Sequence, residues 1–308
     1  MNKFLWLLRR EVWESRSIWI APAVCSLIIV VGALVACFGT GTVDINGADL
    51  AQLSARLTPE KMSSLAGVAL GIIASPFFVA VMFTQFFYTI DALYSERRER
   101  SILFWKSLPV SDLATVLSKL AVASVLMPLV AGAATVVTQL AVFIIASAKL
   151  SSVSALLPHM WDPSIWGGSL VFIAYALLAS ALWYLPLVAW ALLVSAWAPR
   201  SPIMYATLPP LALALAEFVV FRTHYVLATL GERVGTLGFL SHAMVKVGSG
   251  NVGIVIDKDS AVSLPPSLLD LIGPAGFFSS PQVWVGVAVA AALIAAAVWM
   301  RRYRDASI

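Results

Sequence analysis

Residues 94–119 read YSERRERSILFWKSLPVSDLATVLSK, and this stretch interrupts the longest apolar region of the chain. Residues 96–100 are all charged, and Ile102, Leu103, Phe104, Trp105 and Leu108 follow them. Pro109 then breaks the pattern, and Ser111 is placed to cap the next helix. Long apolar runs lie on both sides. The stretch is therefore expected at a membrane surface, its apolar residues dipping into the interface or a partner groove and its charges facing the cytoplasm.

Working outward, the 308 residues are 60% hydrophobic and 12% charged, with a mean hydropathy of +0.91. Soluble domains carry about 25% charged residues, so this composition belongs to a polytopic membrane protein. Runs long enough to span a bilayer are 17–38, 64–90, 120–146, 168–196, 203–221 and 283–300. They make one transmembrane domain, 1–308, with a charged inner segment at 94–112 and an external segment at 222–281. The N-terminus, the stretch 94–119, the turn at Arg200 and the tail together hold thirteen of the twenty Lys and Arg. The much longer loops of the other side hold seven. The positive-inside rule then places both termini in the cytoplasm, and six spans agree with that in parity.

Residues 1–17 read as an amphipathic helix, with Phe4, Leu5, Leu8 and Val12 on one side. It is either an interfacial helix or a plain basic anchor. Cys25 and Cys37 lie about 18 Å apart on the first span and cannot pair with each other. Gly67 and Gly71 permit close helix packing, within the subunit or in a dimer. Asp91 is placed to pair with Arg97 or Arg98, or to sit solvated at a helix end. His159 with Asp162 is too small a set for a metal site.

Three features in the later spans are candidates for a pathway or gate. Trp183, Trp190 and Trp197 repeat every seven residues and share a helix face, as a path lining or as helix packing. Pro209 and Pro210 are expected to kink the fifth span. Glu217 is an ionisable residue at membrane depth. It is read as a gate or substrate contact, or as a rim ion pair with Arg222 or His224. The pattern at 248–253, GSGNVG, matches a dinucleotide fingerprint but has no strand–helix context.

Glu96-Arg97, Glu99, Ser107-Leu108-Pro109-Val110-Ser111 and Lys119, in this order after the second span, resemble the signature of ABC-2-type transporter permeases. This sequence departs at Arg100, where the family often has glycine. The resemblance implies the type V exporter fold: an all-α protein of six transmembrane helices, an N-terminal interfacial helix, a cytoplasmic coupling helix and short external helices before the last span. It implies that Glu96, Arg97, Arg98, Glu99, Arg100, Phe104, Trp105 and Leu108 dock on a separate ATPase subunit, present in two copies and holding ATP and Mg. It also implies a second permease subunit, identical or homologous, and a bacterial inner membrane location. The substrate would be hydrophobic or amphipathic.

The sequence carries no GxxxxGK[ST] loop, so ATP hydrolysis is expected on the partner chain and no cofactor on this one. No Cys/His cluster suggests a metal, and no local motif suggests a catalytic nucleophile and base. Topology accounts for the basic residues without nucleic acid. The alternative is an ion-driven secondary transporter, which usually shows several buried charges and an inverted repeat. A membrane-embedded enzyme is a third reading, disfavoured by the missing catalytic cluster.

Overall fold

The computed structural model describes residues 3–38, 44–45, 48–49, 58–99, 110–149, 157–235, 269 and 272–303. Helix α1 (Lys3–Glu14) precedes α2 (Ser17–Phe38). A two-residue antiparallel ladder, β1 (Asp44–Ile45) with β2 (Ala48–Asp49), follows. Then come α3 (Pro59–Ala92), α4 (Tyr94–Arg98), α5 (Asp112–Ala121), a π-helical turn (Val122–Leu126) and α6 (Met127–Lys149). Next are α7 (Leu157–Met160), α8 (Pro163–Trp197), α9 (Pro202–Phe221), α10 (Tyr225–Val234), α11 (Pro274–Ser279) and α12 (Pro281–Tyr303). The protein is an all-α polytopic membrane protein, with six helical stretches among the described residues long and apolar enough to cross a bilayer. The first span begins and ends where hydropathy places it, and the others run longer by one to eleven residues at an end.

Local chemistry sets the helix starts. Ser111 accepts the Ala114 N–H at 3.2 Å and caps α5. Asp162 accepts the Ser164 N–H at 2.9 Å, and Pro163 occupies the first position of α8. Asp162 is thus a cap. His159 lies 3.3 Å from the Ser63 hydroxyl, and no metal-ligand cluster occurs among the described residues.

Helix α8 is the central post. It packs most extensively against α12 and α3, and small residues are buried on these helices: Ala176, Ala179 and Ala189 on α8, Gly286, Ala290 and Ala297 on α12. Small side chains let helix backbones approach where no water-driven force pushes them together. Ala66, Gly67 and Leu70 of α3 are buried, and Ala66 and Leu70 pack with Phe143, Phe172 and Ile173, so this small-residue face packs within the subunit. Helices α2 and α9 form the flanks. Only Ile18 and Pro22 of α2, and only Ala206 of α9, are buried.

Each proline inside a span orphans the carbonyl four residues earlier, and several of these carbonyls find a side-chain donor. Pro76 frees Ile72 O, which accepts the Ser75 hydroxyl at 2.9 Å. Before Pro128 the helix widens into the π-turn, and Met127 N bonds Val122 O. Ala123 O would then need a hydrogen that Pro128 lacks, and Gln85 Nε2 supplies it at 2.8 Å. Pro210 frees Ala206 O, which accepts the Trp190 indole N–H at 3.0 Å.

Candidate functional site

One end of the bundle gathers charge. It carries α1, the turn from α3 into α4, the short helix α5 and the end of α12. Glu96 Oε2 accepts from Arg301 Nη1 at 2.8 Å, and Glu96 Oε1 lies 3.1 Å from Lys119 Nζ. Lys119 Nζ also donates to Glu11 Oε1 at 2.9 Å, and Tyr88 donates its hydroxyl proton to Glu11 Oε2 at 2.8 Å. Arg301 Nε reaches Asp112 Oδ1 at 3.1 Å. The side chains of Glu11, Glu96, Lys119 and Arg301 are only 3–4% exposed. Two buried anions therefore face two buried cations. Such a set tolerates burial because each charge has an opposite partner and hydrogen bonds, whereas a single member alone would not.

The next residues anchor the same turn to α8. The Ser195 hydroxyl accepts from both Leu93 N and Tyr94 N at 2.9 Å. Arg97 Nη2 donates to the carbonyls of Ser195 at 2.6 Å and Ala198 at 2.9 Å, capping the C-terminus of α8. Arg97 therefore serves α8 and not Asp91. Arg98 and Glu99 lie 3.5 Å apart, and their side chains are 59% and 63% exposed.

These positions correct the sequence reading. Glu96 was expected to face the cytoplasm and a docking partner. It is buried instead, because Arg301, Lys119 and Arg10 converge on it at 2.8, 3.1 and 3.8 Å. Of the coupling candidates described, Arg98 and Glu99 present their charges outward. Arg100, Phe104, Trp105 and Leu108 lie outside the described residues, as does the pattern at 248–253. The sequence places Lys119 in the motif and counts Arg301 only among the basic residues of the tail, and assigns neither to Glu96. Their shared signal is that each charge sits where a span ends on the same side. Under α1 a cavity of about 880 Å³ opens beside the cluster, lined by Glu14, Arg16, Asp91, Ser95 and Glu99 among others.

The far end is organised around α9, α10 and α12. Glu217 does not pair with Arg222 or His224. Its oxygens accept from the Thr223 hydroxyl at 2.6 Å, Tyr225 N at 2.8 Å and Val226 N at 2.7 Å. It caps the start of α10 and fixes the corner between α9 and α10. Arg222 takes a left-handed backbone with φ 57°, and its guanidinium lies 5.6 Å over the Phe218 ring. His224 stacks on the same ring at 5.0 Å. The ion-pair expectation fails because the backbone N–H groups of a new helix are nearer and already aligned.

Two of the three tryptophans pack against α9: Trp190 through Ala206 O, and Trp197 through an edge contact with Tyr205 at 5.2 Å. Trp183 is fully buried and meets Phe277 of α11. Arg233 from α10 lies 4.3 Å over the Trp183 ring. Its Nη1 donates to Trp183 O at 3.1 Å, and its Nη2 donates to Gln282 O. Burial draws the Arg233 pKa down from the usual arginine value, yet arginine stays protonated at any physiological pH. Sequence inspection did not single out Arg233. Pro209, Pro210 and Trp190 line an apolar groove of about 750 Å³ that ends at this arginine.

No family model, no curated protein and no solved structure matches this chain.

Proposed function

We propose that the chain is the membrane-spanning permease subunit of an ATP-driven exporter in a bacterial cytoplasmic membrane. A separate ATPase would bind at the charged end and supply the energy. The observation that carries this reading is the clamp around α4. Arg97 ties that turn to α8, Glu96 ties it to α5 and α12, and Lys119 extends the network through Glu11 to α1. Arg98 and Glu99 project from the same turn into solvent. A push on this turn reaches the ends of several helices through charge-assisted bonds, which are short and directional. Force transfer from a soluble motor requires that arrangement. The motif from Glu96 to Lys119 supports the same reading through its resemblance to ABC-2-type permeases. The apolar flanks α2 and α9 suit a second permease copy, and the substrate is proposed as hydrophobic or amphipathic.

The test uses the full chain extracted in mild detergent from its native membrane. The wild type is expected to co-purify with a P-loop ATPase and with MgATP hydrolysis. Arg98→Glu with Glu99→Lys should remove both while leaving the Tm unchanged. Absence of ATPase from the wild type, or full retention by the double variant, overturns the proposal.

A further inference from the structure

The groove that ends at Arg233 has the dimensions and charge of a lipid site. On α12 it runs from Gln282 to Leu293, which at 1.5 Å per residue is about 16 Å. Helix α12 spans the bilayer with 23 residues, so Leu293 lies near its middle and Gln282 near one face. The groove is thus about half as deep as the roughly 30 Å hydrocarbon layer. Its walls are apolar, from Pro209, Leu213, Val285, Val289 and Leu293. At its mouth, on the membrane face, lies the Arg233 guanidinium against Gly286. A Cβ on Gly286 would come within 2.9 Å of Arg233 Nη2, so this position keeps the room the guanidinium occupies.

Arg233 forms no carboxylate salt bridge among the described residues; its bonds go to two backbone carbonyls. A guanidinium has five N–H donors, so further donors remain for a ligand. Glu232, exposed at the same mouth, is the only other charge lining the groove among the described residues. A net anion would gain at Arg233 and lose at Glu232. A zwitterion gains at both.

We propose that this groove holds one acyl chain of a zwitterionic phospholipid, its phosphate at Arg233 and its amine at Glu232. The site is independent of the transport reading, since a lipid so placed would bind whether or not an ATPase does. Phospholipid fits better than a soluble phosphate because the cation sits at the head of an apolar slot half a bilayer deep.

The experiment measures thermal stability of the full chain, delipidated in detergent, against added phosphatidylethanolamine, phosphatidylglycerol, diacylglycerol with the same chains, and inorganic phosphate. Phosphatidylethanolamine should raise the Tm at the lowest concentration. Arg233→Gln should weaken that response roughly ten- to hundredfold, as expected for loss of a charge-assisted contact. Val289→Trp, a change at a half-exposed wall position, should fill the slot and abolish the response without lowering the basal Tm. Equal stabilisation by diacylglycerol, by phosphatidylglycerol or by inorganic phosphate overturns the proposal. An unchanged phosphatidylethanolamine response in Val289→Trp overturns it too, even if Arg233→Gln fails to fold.

Discussion

The two ends of this bundle satisfy their charged groups in opposite ways. At the charged end, anions answer cations: Glu11 and Glu96 against Lys119 and Arg301. At the far end, charges answer backbone groups. Glu217 binds the N–H groups that open α10, and Arg233 binds the carbonyls of Trp183 and Gln282. The first arrangement couples segments that are 205 residues apart in the chain, as with Glu96 and Arg301. The second is mostly local in sequence for Glu217 and rests on a single short helix for Arg233. One end is therefore a clamp whose parts fail together. The other is a set of separable corners around a groove.

The largest effect is expected at the clamp. Glu96→Gln leaves Lys119 and Arg301 buried with less counter-charge and should cost about 3–5 kcal/mol, read by denaturation in detergent. Replacing Lys119 by Met together with Glu11→Gln removes a matched pair and should cost clearly less than Lys119→Met alone. If the single and double changes cost the same, the cluster is not acting as a unit.

A smaller effect is expected in the middle of the fifth span. Trp190→Phe strips Ala206 O of its donor and should cost about 1–3 kcal/mol. Pro210→Ala returns a backbone N–H to that carbonyl, so the double variant Trp190→Phe/Pro210→Ala should recover most of the loss. Failure of that rescue would mean the tryptophan acts through packing alone.

At the far corner, Glu217→Ala should loosen the start of α10, because it removes that helix's cap. Its signature should be faster amide exchange at Tyr225 and Val226, with the clamp unaffected. Arg222→Ala should leave that exchange unchanged. An equal effect from Arg222→Ala would restore the ion-pair account of Glu217. The smallest effect belongs to the solvent-facing pair. Arg98→Ala and Glu99→Ala should leave the Tm where it is, because exposed ion pairs add little. Substantial destabilisation there would show the turn to be less open than its exposure indicates.

Hydropathy placed the first span at 17–38, where the helix lies, and found the other five, with ends that differ by up to eleven residues. Ser111 as a cap and α1 as a separate helix were equally readable. These are local properties. A span is a sum over about twenty neighbours, and a cap is decided within one turn. The sequence also flagged Glu96, Trp190, Pro210 and Glu217 as residues of interest, but offered partners within the chain only for Glu217, and those by proximity along the chain.

Tertiary structure decided the partners. Glu96 meets Arg301 because α3 and α12 both pack on α8 and so end side by side. Trp190 meets the carbonyl freed by Pro210 because α8 and α9 lie together across a short turn. Arg233 reaches Trp183 only because Glu217 turns α10 back toward the bundle. A buried charge or an orphaned carbonyl must find an opposite group, but which one it finds is set by the packing of helices distant in sequence. Composition and spacing determined that these groups needed partners, and the packing around α8 determined which partners they have.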